Sequence, residues 1–144
     1  MTITLGNLIF DSWRDSFPGL RGSGDRERHL IYEGDGLILD LHVKPHRSSA
    51  SVDISGQAMP MDDSAENVAH LPVSLESGGQ SLRTVTNALG EFGFRQVSLG
   101  RGLDVCIALG TRHLIIRGLS SHEPRKWKIV TEVNRARVAK EGLR

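Results

Sequence analysis

The amino-acid sequence predicts an all-β protein, an antiparallel β-sandwich of about seven to nine strands. Short runs in which apolar and polar residues alternate are typical of strands with one buried face and one exposed face. These runs recur roughly every 8 to 15 residues, and glycine, asparagine, aspartate and serine lie between them. The central part of the chain carries no convincing helical pattern. The alternation therefore places one sandwich domain at residues 1–119.

The predicted strands cover residues 7–12, 29–33, 37–44, 52–55, 71–75, 82–86, 92–97, 103–109 and 113–117. The run 37–44 has the cleanest period of two. Pro45 ends it, because proline cannot donate a hydrogen bond to a sheet ladder. Gly56 follows the run 52–55 and predicts a bend, since glycine is common at irregular points of strands. Later runs are separated by turn residues at 78–79, 87–90 and 100–102.

The first predicted strand has a rival interpretation as a helix. Five apolar residues stand at helical spacing and could form an amphipathic stripe: Leu5, Leu8, Ile9, Trp13 and Phe17. We favour a strand over residues 7–12, where a short apolar run precedes Asp11.

Two segments between the strands are predicted to be loops. Residues 18–28 are rich in glycine and charge, which indicates a surface loop. Residues 59–69 carry Asp62, Asp63 and Glu66 and are predicted to form a solvated acidic loop. The regular spacing of a calcium-binding loop is missing there, so we predict no calcium site.

Composition argues against several classes of function. With 18 basic and 17 acidic residues the net charge is +1, which gives little reason to expect a nucleic-acid or anionic-membrane partner. No run approaches the roughly 20 apolar residues that cross a bilayer, and the N-terminus lacks the basic start of a secretory signal. The single cysteine, Cys106, excludes an intrachain disulfide and is predicted to be a small packing residue on the face opposite Leu103 and Val105. Together these features predict a cytoplasmic protein.

The last segment, residues 120–144, is predicted to be a basic extension of the sandwich. From residue 121 onward it contains seven basic residues against three acidic ones. Pro124 suits the first turn of a helix, so residues 125–141 are predicted to be helical, although alternation around Trp127 also fits a strand. The candidate partner-binding residues are Arg125, Lys126, Trp127 and Lys128. Positive charge beside an aromatic ring can bind single-stranded nucleic acid, but we favour packing of the ring on the sandwich with the lysines in solvent. Docking of the tail on a protein partner is an intermediate alternative.

The sequence predicts no enzyme, no metal site and no cofactor. It contains no G-x-S-x-G elbow, no phosphate-binding loop and no H-E-x-x-H pair. His42 and His46 are four residues apart, but four residues of extended chain span about 13 Å, too far for one ion to bind both. We therefore predict that both are surface histidines.

Four aspartates fall within predicted strands: Asp11, Asp40, Asp53 and Asp104. They are predicted to lie on the solvent face. Two of them would permit acid–base catalysis only if they converged on one cleft.

One segment carries a family resemblance. Thr86, Asn87, Gly90, Phe92 and Phe94 form a Thr-Asn-x-x-Gly-x-Phe-x-Phe element that is followed by a glycine turn and a closing strand. Together with the Gly-Gln pair at residues 56–57, this element resembles the bacterial carboxypeptidase regulatory-like domains, a group of transthyretin-like β-sandwiches. The resemblance covers roughly residues 7–117 and implies an immunoglobulin-like or transthyretin-like sandwich.

The resemblance implies a non-catalytic accessory domain that binds proteins or surfaces. Variants with a Phe-Asp-Ser segment before the sandwich, as at residues 10–12 here, look like domains found beside bacterial sigma-factor regulators, which suits an intracellular regulatory or scaffolding subunit. We therefore expect a protein–protein interaction module. Nucleic-acid binding through the basic tail is one alternative. A small hydrolase of transthyretin-like type is another, but the Tyr-Arg-Gly-Ser ending of the hydroxyisourate hydrolases is missing here.

Overall fold

The computed structural model describes residues 1–15, 27–47, 50–62, 66–77, 79–98 and 102–119. Within these ranges it has ten strands and one short helix. They are β1 (Thr2–Leu5), β2 (Asn7–Asp11), α1 (Ser12–Asp15), β3 (Arg28–Gly34), β4 (Leu37–Pro45), β5 (Ser51–Pro60), β6 (Pro72–Ser77), β7 (Gln80–Val85), β8 (Glu91–Ser98), β9 (Leu103–Leu109) and β10 (Arg112–Leu119). The first sheet has the order β1-β10-β9-β6-β7 and the second has the order β2-β3-β4-β5-β8. The predicted all-β sandwich is confirmed.

Each predicted strand is present, and β1 is an addition that the alternation did not predict. β1 pairs with β10 in parallel, whereas the other strand pairs are antiparallel. The strand interpretation of the N-terminus is confirmed for residues 7–11, and α1 begins where this strand ends.

The core lies between the two sheets and is built from every second side chain of the strands. Leu37, Leu39, Leu41 and Val43 of β4 are all fully buried, and so are Leu103, Val105 and Ile107 of β9. The residues between them face outward and are partly exposed. The period of two in the sequence therefore predicts correctly which face of these two strands is buried.

The predicted bend at Gly56 is wrong. β5 runs without interruption from Ser51 to Pro60, and Gly56 pairs in register with Leu41 of β4 and Phe92 of β8. A Cβ atom at Gly56 would lie 2.5 Å from Cζ of Phe92 and 2.8 Å from Cδ2 of Leu41. Glycine is needed here because the phenylalanine ring occupies the space of a side chain, and not because the chain turns.

The N-terminal segment joins both sheets on one side of the sandwich. β1 belongs to the first sheet, and β2, one residue later, belongs to the second. Gly6 connects them, and a Cβ atom there would overlap the side chain of Ile116 in the first sheet and approach Tyr32 in the second. The absence of a side chain at Gly6 thus lets one continuous segment pass from one sheet to the other.

The Thr-Asn element of the family resemblance organises the connection between β7 and β8. The hydroxyl of Thr86 is buried, donates to the carbonyl of Val68 (2.6 Å) and accepts from the amide of Leu71 (2.7 Å). The side chain of Asn87 accepts from the amide of Glu91 and donates to the carboxylate of the same residue, at 2.9 Å in both cases. These hydrogen bonds satisfy backbone groups of the connection that have no partner strand.

Two predicted segments lie wholly or mostly outside the described residues. They are the loop at residues 18–28, of which 18–26 are not described, and the basic extension at 120–144. Arg28, predicted as the last residue of that loop, is instead the first residue of β3 and is buried.

Candidate functional site

The outer face of the second sheet carries two histidines opposite each other on β3 and β4. These strands form a hairpin around Asp35 and Gly36, whose φ angles of 52° and 81° are those that a two-residue type I′ turn requires. The turn sets His29 directly opposite His42. Asp40 precedes His42 by two residues and shares its face, because alternate side chains of a strand point the same way. Side chains from two strands therefore meet at one place.

These three side chains form a compact group, which we call the histidine–aspartate cluster (His29, Asp40 and His42). Oδ1 of Asp40 lies 2.7 Å from Nε2 of His29 and 3.4 Å from Nε2 of His42. The two imidazole rings are stacked, with centroids 4.2 Å apart and 9° between their planes. The side chains are 33%, 28% and 41% exposed, in the order given. The cluster is therefore open to solvent.

Two neighbouring side chains orient the imidazole rings. Oε2 of Glu27 lies 2.8 Å from Nδ1 of His42. An ionised carboxylate only accepts, so this contact is a hydrogen bond in the tautomer that carries its proton on Nδ1, and Nε2 of the same ring faces Asp40. The ring of Phe10, on β2, meets the ring of His29 edge-on with 5.3 Å between centroids. Two imidazoles and one carboxylate with ligand atoms within 4.8 Å of one another are a donor set that could hold a metal ion.

His46 has a partner of its own, and the sequence analysis did not predict the partner of His42. Nε2 of His46 lies 2.8 Å from Oδ1 of Asp53, away from the histidine–aspartate cluster. The partner is His29, and the sequence does contain a signal for it. An Asp-Gly pair between two alternating runs indicates a type I′ hairpin, and the two histidines stand six residues to either side of that pair.

The four aspartates of the predicted strands have separate partners. Asp11 contacts Arg28, and Asp40 contacts the two histidines of the histidine–aspartate cluster. Asp53 contacts His46, and Asp104 accepts from the amide of Gly118. The predicted solvent exposure is wrong for Asp11, which is only 4% exposed. The backbone amide of Gln96, followed by the hydrogen bond from His46, lowers the pKa of Asp53. These contacts bring no two of the four carboxylates together as an acid–base pair.

Several described residues of the predicted acidic loop at 59–69 belong to β5 or contact neighbouring elements. Met59 and Pro60 belong to β5. The carboxylate of Glu66 lies 2.6 Å from Nη2 of Arg112, and that of Asp35 lies 2.5 Å from Nη1. The hydrogen bond that Arg112 donates to Glu66, with the charges of both carboxylates, raises the pKa of Arg112. Arg112 thereby connects β10 of the first sheet to the β3–β4 turn of the second.

Cys106 lies on the outer face of β9, opposite Leu103 and Val105 as predicted. Its sulfur is 3.4 Å from Nδ1 of His113 on β10. Burial raises the pKa of the Cys106 thiol, and a hydrogen bond with Ser74 only partly offsets this effect. A raised pKa reduces the thiolate fraction at neutral pH, which opposes activation of the thiol by the neighbouring histidine.

We therefore expect Cys106 to react with iodoacetamide at pH 7.5 more slowly than free cysteine. Partial burial and the shortage of thiolate both act in this direction. The alkylation rate measured from pH 7 to 10 by mass spectrometry should rise with a midpoint above the ordinary thiol pKa of about 8.5. A rate above that of free cysteine would instead indicate an activated cysteine–histidine pair.

A second candidate surface is the outer edge of β1, the terminal strand of the first sheet. Thr2 and Gly6 donate their amide hydrogens to carbonyls at β10. Ile3 and Leu5, at the alternate positions, therefore turn their backbone groups away from β10. Their side chains are 53% and 58% exposed. We call this surface the N-terminal edge (Ile3 and Leu5).

The predicted partner-binding residues Arg125, Lys126, Trp127 and Lys128 lie outside the described residues. Among the described residues, no helix has both the length and the apolar character needed to cross a bilayer.

The described chain is thus a two-sheet β-sandwich with a histidine–aspartate cluster on one outer face and an apolar edge strand. Comparison of the sequence and structure with family models, curated proteins and solved structures finds no match. The resemblance to carboxypeptidase regulatory-like domains therefore stays a prediction from the sequence.

Proposed function

We propose that this domain is a protein–protein interaction module that binds an extended segment of a partner protein along the N-terminal edge. The observation that supports this proposal is the combination, on β1, of outward-facing backbone groups with half-exposed aliphatic side chains. An added strand would form main-chain hydrogen bonds with β1, and its alternate side chains would cover Ile3 and Leu5. A module of this kind would serve as a regulatory or scaffolding subunit.

The other edge strands of the described sheets carry features that discourage pairing, whereas β1 does not. β7 presents Arg83, and β8 presents Glu91 and Arg95. β2 is irregular, because its register with β3 shifts between Leu8 and Phe10. Charged residues and bulges are the usual means by which proteins protect sheet edges. The sequence of β1, Thr-Ile-Thr-Leu, contains neither a charge nor a proline.

The chemistry of the edge also indicates the kind of partner. With no charged side chain on β1, recognition would come from backbone hydrogen bonds and apolar contact. The partner segment should therefore be an extended, apolar strand. Covering the exposed halves of Ile3 and Leu5 would contribute roughly 1 kcal/mol for each side chain.

A lysine at position 3 should abolish partner binding, because it would place a charge on the edge that the partner must cover. The tagged protein and its Ile3→Lys variant would be purified from the cells in which the protein occurs, and bound proteins quantified by mass spectrometry. The matched control is Val85→Lys, since Val85 is also 53% exposed but lies on the opposite edge strand, β7. We expect recovery of the partner to fall at least about tenfold for Ile3→Lys alone.

Two outcomes would reject this proposal. Equal recovery with all three proteins would mean that any partner binds elsewhere. A dimer of the purified chain in analytical ultracentrifugation that Ile3→Lys converts to a monomer would mean that a second copy of this chain, and not another protein, covers the edge.

A further inference from the structure

We infer that the histidine–aspartate cluster is a binding site for a divalent transition-metal ion, with Nε2 of His29, Nε2 of His42 and Oδ1 of Asp40 as ligands. The site lies on the outer face of the second sheet and is separate from the N-terminal edge of the first. Two imidazoles and one carboxylate suit ions such as Zn²⁺ and leave at least one coordination position for water or another group.

The distances between the ligand atoms lie on either side of those found around a metal ion. Around a tetrahedral zinc ion with bonds of about 2.1 Å, neighbouring ligand atoms are about 3.4 Å apart. Here the oxygen of Asp40 lies 2.7 Å and 3.4 Å from the nitrogens of His29 and His42. All three ligand atoms lie within 4.8 Å of one another. The backbone register of the hairpin already places the ligands, so little reorganisation of the strands is needed.

The side chains must make one adjustment. The imidazole planes are nearly parallel, at 9°, so their nitrogen lone pairs do not yet point to one common position. Rotation of each ring about its Cβ–Cγ bond brings the lone pairs together, and this torsion has broad, shallow minima in histidine. Because the cluster is partly exposed, the rings have room to turn and an ion can enter from solvent.

Glu27 gives the cluster the outer-shell support that metal-binding histidines usually have. Its carboxylate accepts from Nδ1 of His42 at 2.8 Å, which directs Nε2 of that ring towards Asp40. Such a carboxylate–histidine–metal arrangement fixes the tautomer and makes the imidazole a stronger ligand. The two carboxylates, Glu27 and Asp40, also provide the negative charge that attracts a cation.

Isothermal titration of Zn²⁺ into the full chain tests this inference. We expect one ion per chain for the unaltered protein and for His46→Ala, which removes a histidine–carboxylate pair outside the cluster. Glu27→Gln should weaken binding about 10- to 100-fold, as is typical for outer-shell partners. Loss of a ligand, in His42→Ala or Asp40→Ala, should weaken it at least as much. Circular dichroism would establish that each variant keeps its strands.

Measurement on the unaltered chain makes the test independent of how the variants fold. In nitrogen-15 spectra of the histidine side chains, Zn²⁺ should shift Nε2 of His29 and of His42 and leave His46 unchanged. The inference would be overturned by the absence of one-to-one binding. It would also be overturned by shifts confined to other histidines, or by unchanged affinity in a folded His42→Ala variant.

Discussion

Replacement of Asp11 by alanine is expected to lower the free energy of unfolding by about 3–5 kcal/mol, because it leaves a buried guanidinium without its carboxylate. Arg28 donates to Asp11 through Nε (3.1 Å) and Nη2 (2.6 Å), and both residues are at most 9% exposed. Oδ1 of Asp11 also accepts from the amide of Trp13 (3.0 Å), so the substitution removes the N-cap of α1 as well. The guanidinium itself lies 4.4 Å from the centre of the Trp13 ring.

Urea unfolding followed by circular dichroism would measure this loss, and two further variants would identify its cause. The double substitution Asp11→Leu with Arg28→Leu should be less destabilising than Asp11→Ala, since it removes both charges from the interior. Arg14→Ala should change stability very little, because the pair of Arg14 with Asp15 is exposed. If Asp11→Ala and Arg14→Ala had equal effects, the Asp11–Arg28 pair would have to be solvated.

Gly90→Ala is the second substitution for which a large loss is expected, about 2–5 kcal/mol. Gly90 has a φ of 82°, a left-handed conformation that costs other residues about 1–2 kcal/mol. In addition, a Cβ atom there would overlap the carbonyl oxygen of Ala58, and a backbone oxygen cannot move away as a flexible side chain can. That carbonyl lies next to the amide of Ala58, which donates to the carbonyl of Gly90 (2.9 Å), so the clash would also disturb the link between β5 and the β7–β8 connection.

Gly110→Ala separates the cost of the left-handed backbone conformation from the cost of the overlap with Ala58. Gly110 has a similar φ of 71°, but a Cβ atom there would meet nothing within 4 Å. Gly110→Ala should therefore cost only the conformational term of about 1–2 kcal/mol. Thermal unfolding of both variants under the same conditions would make the comparison. Equal losses would show that the approach of Ala58 is unimportant and that backbone conformation alone requires glycine at position 90.

Much of the fold could be predicted because the alternation of apolar and polar residues indicates which side chains of a strand are buried. The run at residues 37–44 predicts a strand, and the structure places its odd-numbered leucines in the core and Asp40 and His42 outside. Gly56 shows the limit of such reasoning. Glycine is required there by the ring of Phe92, which belongs to a strand 35 residues further along the chain. A residue pattern cannot distinguish a turn from a close approach by a distant side chain.

The candidate sites were less predictable for the same reason. His29 and His42 lie opposite each other because the Asp-Gly turn pairs their strands. This turn is a local signal from which the sequence analysis could have predicted their contact. β1 could not be found in that way. Its four residues show alternation too short to predict a strand, and its pairing partner, β10, lies more than 100 residues later in the chain.

The sequence by itself determined that this protein is a β-sandwich and which face of regular strands such as β4 and β9 turns inward, because alternate side chains point to opposite faces whatever the neighbouring strand is. Only the tertiary structure decided which strands are neighbours, and hence that Asp11 is buried against Arg28, that β1 is an edge strand among the described residues, and that two histidines and an aspartate share one outer face. The physical reason is that strand pairing joins segments distant in the chain through backbone groups that every residue possesses. The choice of partner therefore depends on the packing of the whole core.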